Sequence, residues 1–149
     1  MKPLGWLALA AACVTGCASR QLPPTDLTAP GWTQQHVEAV WRPREGAPEL
    51  VGELLVATHP DGSRWVQFSK QGLPLVLART TPSGWTLQSP LRSRGLAGRG
   101  PAPDRGPWFQ LDHLPPSPPA SNRWRLTLQA DGSWRLAHPR RGEVLEGFP

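Results

Sequence analysis

The sequence predicts a mainly β protein: an antiparallel meander of about eight strands, forming a partly open barrel or sandwich with at most a short helical turn. Three observations carry this. Apolar and polar residues alternate at a period of two, and little of the chain repeats at 3.6. Turn signals recur roughly every 8–12 residues, the spacing of a sandwich or barrel. Once an N-terminal leader is set aside, about 120 residues are left to fold, the size of one domain with one core.

The strands follow in order. Trp32 to Trp41 alternates, with Val37, Ala39 and Trp41 on one face, and the 43–48 stretch turns the chain. Leu50 to Thr58 is apolar on both faces apart from Glu53, as a central strand would be. His59-Pro60-Asp61-Gly62 is a turn. Arg64 to Lys70 puts Val66 and Phe68 on one face and Trp65 on the other. Gln71-Gly72 leads into Leu73 to Thr81, where Pro74 suits an edge or a strand start. Pro82-Ser83-Gly84 leads into Trp85 to Ser89. Residues 50–89 therefore read as a four-stranded meander.

From Arg92 to Pro107 the chain is rich in glycine, proline and arginine, with almost nothing to bury, so a long surface loop is expected there. Trp108-Phe109-Gln110-Leu111 re-enters the core as a strand or one helical turn. Pro115 to Pro119 is a stiff connector. Arg123 to Gln129 alternates, with Trp124, Leu126 and Leu128 expected inward. Asp131-Gly132 turns it into Trp134 to His138, and Val144 to Phe148 is the last strand. The pairs Asp61-Gly62-Ser63 and Asp131-Gly132-Ser133 share a pattern and read as ordinary Asp-Gly hairpin turns.

The first residues carry a different signal. Lys2 supplies a positive charge, Leu4 to Thr15 is apolar and small, and Val14-Thr15-Gly16-Cys17 ends the run. These are the parts of a secretory leader. The run is shorter than the roughly 20 residues a membrane-spanning helix needs. A small residue before Cys17 matches a lipoprotein signal, and Cys13, preceded by three alanines, fits that pattern less well. The expected organisation is a signal peptide over 1–16, a lipidated N-terminus and tether over 17–30, and one β domain over 31–149. Acyl chains on Cys17 would anchor the protein at about 0.8 kcal/mol per buried CH₂. Ala18-Ser19, with no Asp at the second mature position, points to the outer membrane, on its periplasmic side.

The mature domain then has no thiol left for a disulfide, a nucleophile or a metal. His36, His59, His113 and His138 lie far apart, so no metal and no cofactor is expected. No Gly-x-Ser-x-Gly elbow or phosphate loop occurs, and no enzymatic activity is expected. The formal net charge is +5, of which Lys2 supplies one. That excess favours acidic partners such as lipid headgroups, without pointing to nucleic acid.

Two clusters remain as candidate sites. Arg92, Arg94, Arg99 and Arg105 form a basic contact loop, either solvating the domain or meeting anionic headgroups. Trp65, Val66, Phe68, Leu75, Leu77, Trp85 and Leu87 are candidates to line either a packed core or a cavity that holds a lipid.

The chain also resembles the LolB family of outer-membrane lipoprotein receptors. The likeness rests on the lipidated cysteine and tether and on the meander from Gly52 to Pro90. Within that meander lie Phe68-Ser69-Lys70-Gln71-Gly72 and Thr81-Pro82-Ser83-Gly84. Trp108-Phe109-Gln110-Leu111 follows, ending near Leu114-Pro115. The resemblance implies an unclosed antiparallel barrel over an apolar cavity, with a lipid or acylated protein as ligand. The other expectation is a structural or interaction lipoprotein with a filled core and a basic contact loop.

Overall fold

A computed structural model describes residues 22–90 and 94–149. The described chain forms one nine-stranded antiparallel sheet. Its strands are β1 Thr33–Arg42, β2 Leu50–Thr58, β3 Arg64–Lys70, β4 Leu73–Thr81, β5 Gly84–Gln88, β6 Leu96–Arg99, β7 Arg125–Leu128, β8 Trp134–His138 and β9 Glu143–Phe148. Their order is β6-β5-β4-β3-β2-β1-β9-β8-β7. Six strands run as an unbroken meander. The last three then add to the free side of β1, with β9 nearest. The sheet is not closed, since β6 and β7 are its two ends.

The pairing register puts the apolar set on one face. Trp41 opposes Leu145, which opposes Leu136; Val56 opposes Val66, which opposes Ala78, which opposes Leu87. A one-residue slip would turn every one of these side chains to the other face, so burial fixes the register. Residues from β4, β5, β6 and β9 line a single small space, so the sheet coils round on itself as a partly open barrel.

What fills the concave face comes from the β6–β7 connection. Pro107–Gln110 is one 3₁₀ turn with proline at its start, where the missing N–H is not needed. It carries Trp108 and Phe109 inward, and both are buried. Trp108 meets Trp41 edge-on at 4.9 Å and Phe68 at 5.8 Å; Phe109 meets Trp85 edge-on at 5.6 Å. Leu111 and Leu114 complete the plug. Gln35, on the concave face of β1, holds Leu114 in place. Its Oε1 accepts from the Leu114 N–H at 2.9 Å, and its Nε2 donates to the Leu114 carbonyl at 3.1 Å.

The two Asp-Gly turns have the same construction. In each, the residue two before Asp donates its N–H to the serine carbonyl, at 3.0 Å for His59 and 2.9 Å for Gln129. The Asp Oδ1 accepts the serine N–H at 2.7 Å in one and 2.9 Å in the other. Gly62 and Gly132 take φ of 90° and 86°, which closes a three-residue hairpin loop.

Two sequence expectations change. The expected loop over 92–107 contains a ninth strand, β6, paired to β5 through Leu87–Leu96, Thr86–Ala97 and Trp85–Gly98. Glycine at 98 makes this possible, because a Cβ there would sit 2.7 Å from the Trp85 indole. Leu128, expected inward, is 60% exposed. It lies at the end of β7, which is an edge strand among the described residues. Pro74 takes the second of the two places expected for it, at the start of β4, opposite Ser69 and beside a register irregularity at Phe68/Ser69.

Candidate functional site

The side chains marked as core or cavity candidates divide between the two faces of the sheet. Val66 and Phe68 are buried on the concave face; Trp85 and Leu87 are half-buried there. Leu75 falls in the irregularity between Pro74 and Val76, half-buried and packed against the core. Trp65 and Leu77 lie outward, opposite Arg79 and Gln67, and do not line the interior. Strand alternation decides this. Trp65 precedes the inward Val66, and Leu77 lies between the inward Val76 and Ala78.

The concave face leaves little room. One space of about 160 Å³ remains at its open rim, floored by Trp41, Val76, Leu87, Leu96 and Trp108. Arg94, Arg105, Arg141 and Glu143 stand around its mouth. A second and larger cleft of about 790 Å³ adjoins it, lined by Asp104, Arg105, Asn122, Arg123, Arg125, His138, Pro139, Arg140 and Arg141. Arg105 and Arg141 belong to both. Six arginines therefore converge on one continuous surface, against two carboxylates.

Those two carboxylates are already engaged. Asp104 accepts from Gln110 Nε2 at 3.2 Å and from the Ser121 hydroxyl, and lies 3.7 Å from the Arg123 guanidinium. Glu143 is buried and accepts from the Trp41 indole N–H at 3.3 Å. The cleft thus presents unbalanced positive charge to solvent.

Local chain geometry places these arginines. Arg140 and Arg141 sit at the apex of the β8–β9 turn, where the Arg141 and Gly142 N–H groups both donate to the His138 carbonyl. Gly142 has φ 63°, and a Cβ there would fall 2.6 Å from the Glu45 side chain, so only glycine fits. The turn is pinned from the other side by the Glu45 N–H, which donates to the Arg141 carbonyl at 3.3 Å. Arg125 faces outward from β7, opposite Ala137. His138, 8% exposed, lines the cleft with its ring edge-on to Trp124 at 5.1 Å. Its Nδ1 is buried without a hydrogen-bond partner among the described residues.

Of the four arginines expected to act together, Arg94 and Arg105 reach the cleft. Arg99 ends β6 opposite Gly84, at the other end of the sheet. Arg92 and Cys17 lie outside the described residues. Arg123, Arg125, Arg140, Arg141 and His138 were not singled out from sequence. The adjacent Arg140-Arg141 pair ahead of a turn glycine was the available signal.

Chemically, such a surface binds oxyanions. A guanidinium offers a planar fork of donors that matches carboxylate or phosphate groups. Among the described residues, no group of three or more His, Cys, Asp or Glu side chains comes together to hold a metal. No protein-family model, curated protein or solved structure matches this chain.

Proposed function

We propose that this protein is a lipid-anchored, periplasm-facing lipoprotein of the outer membrane that works without catalysis, as an interaction domain whose arginine cleft binds an anionic partner. One observation carries this reading: six arginines from four separate segments meet at the open side of a barrel whose interior is already filled. The leader ending at Cys17 supplies the anchor in this reading. An acyl-chain site is supported less well. Small-molecule pockets span roughly 300–1,000 Å³ and are mostly apolar. The apolar-floored space here is about 160 Å³, and the larger cleft is walled by arginines.

The test is retention of the lipidated protein on immobilised polyphosphate across a salt gradient. Exposed ion pairs contribute about 0.2–1 kcal/mol each. Converting Arg94, Arg105, Arg140 and Arg141 to serine should weaken binding by about 0.8–4 kcal/mol, at least roughly fourfold, with an unchanged circular dichroism spectrum. Equal retention of variant and parent would refute the cleft as the contact surface. Mass spectrometry tests the anchor separately: Cys17→Ala should abolish the acyl adduct and release the protein from the membrane fraction.

A further inference from the structure

Residues 22–30, the described part of the segment between the expected anchor and the barrel, are not a free leash. They cross the outward face of the sheet and are bonded to it. Arg79, on the outward side of β4, donates through Nη1 to the Leu22 carbonyl at 3.3 Å and through Nη2 to the Pro23 carbonyl. The same guanidinium stacks 5.6 Å above the Trp65 ring of β3. Further along, Gln34 Nε2 donates to the Leu27 carbonyl at 3.0 Å. Ala57, which faces outward at the same level of β2, is fully buried. The entry into β1 is fixed as well. Gly31, at φ 98°, lies so close to the His59 ring that a Cβ there would sit 2.5 Å from it, and Trp32 packs on that ring.

These contacts all lie at one end of the barrel. Pairing register links Arg79 to Trp65, Trp65 to Ala57 and Ala57 to Gln34. The arginine turn lies beyond the other end, where Arg42 opposes Val144. Gln34 and Arg42 are eight residues apart on one strand, about 26 Å at the rise of an antiparallel strand. From Cys17 to Leu22 is five residues, which span at most about 18 Å even fully extended.

We infer that residues 22–30 are a strap fixing the lipidated end of the chain to the end of the barrel opposite the arginine cleft. The cleft is thereby held away from the anchoring leaflet, and its partner is an extended polyanion of the compartment rather than the headgroups of that leaflet. This rests on the anchored-lipoprotein reading above. An extended partner fits because the arginines stand on separate segments around a cleft of about 790 Å³, more than a single ion fills. Repeating carboxylate or phosphate groups would meet several guanidinium forks at once.

The experiment uses the full lipidated protein in vesicles of phosphatidylcholine with and without phosphatidylglycerol. A fluorophore is placed on Ser83→Cys, at the strapped end, or on Leu73→Cys, an exposed site at the cleft end. With a quencher on the lipid headgroups, the Ser83 probe is expected to lose its emission and the Leu73 probe to keep it. Arg79→Ala should abolish that difference. The same vesicles should bind poly-L-glutamate or polyphosphate added outside, and lose that binding with Arg105→Ser and Arg141→Ser together. Equal quenching of both probes, with polyanion binding intact, overturns the orientation alone. Quenching of the Leu73 probe only when phosphatidylglycerol is present makes the leaflet the partner and overturns the inference. Absent polyanion binding by the parent protein overturns the cleft reading beneath it.

Discussion

Trp108 separates a filled barrel from a hollow one. Its indole is 3% exposed, wedged between Trp41 and Phe68 with centroids at 4.9 and 5.8 Å. An aromatic side chain of this kind buries about 150–250 Å². At about 25 cal/mol/Å² that is roughly 4–6 kcal/mol, an upper estimate because unfolded chains already bury some surface. Aromatic truncations to alanine in protein cores cost about 3–5 kcal/mol. Trp108→Ala should therefore lose about 4 kcal/mol of the roughly 5–15 kcal/mol a domain possesses. Trp108→Leu, which refills part of the space, should lose about half as much and keep the fold measurable if alanine does not. Urea unfolding at constant m value, followed by circular dichroism and tryptophan fluorescence, reads both. A loss below about 1 kcal/mol for Trp108→Ala would refute the reasoning. The 3₁₀ turn would then be a loosely seated cover, and the concave face would be open to an acyl chain after all.

Two further outcomes follow from the same geometry. Gly147→Ala sets a Cβ 2.3 Å from the Trp134 indole across β8 and β9, so it should lower stability by about 1–3 kcal/mol; an unchanged thermal midpoint would show that the indole moves aside freely. The Ser133 hydroxyl and N–H both bond to Asp131 and hold its carboxyl below the usual carboxylate range. The unfolded chain therefore takes up this proton first as the pH falls. The stabilisation from Asp131 is complete above about pH 4 and is lost below it, as pH falls through the folded value. Asp131→Asn should flatten the thermal midpoint between pH 4 and pH 2 relative to the parent, and identical slopes would remove Asp131 from the acid response.

Much of the architecture was legible because hairpins are local. Asp61-Gly62 and Asp131-Gly132 bring their flanking strands together within a few residues, and alternation sorts each strand into two faces. β1 to β5, β8 and β9 lie close to where the pattern puts them. β6 was hidden because its pairing depends on a glycine beneath a tryptophan from another strand. Gly98 reads as a loop residue until Trp85 is seen lying against it. The candidate lining was overdrawn: it grouped Trp65 and Leu77 with Val66 and Phe68 although alternation already set Trp65 on the other face. Both face outward, where the Arg79 guanidinium stacks over Trp65.

The sequence by itself determined that the domain is an antiparallel β unit whose residues 18–149 contain no cysteine. It also marked Cys17 as the candidate anchor and the 92–107 stretch as unusually rich in arginine. Only the tertiary structure decided where the arginines act. Arg94 comes from the β5–β6 connection, Arg105 from the β6–β7 connection, Arg123 and Arg125 from the start of β7, and Arg140 and Arg141 from the last hairpin. They meet because β9 pairs with β1, which brings the last hairpin beside the connections on either side of β6. That pairing joins residues about a hundred positions apart, such as Trp41 and Leu145. No local pattern encodes it, since it arises from burying one face of nine strands around Trp41, Phe68 and Trp108.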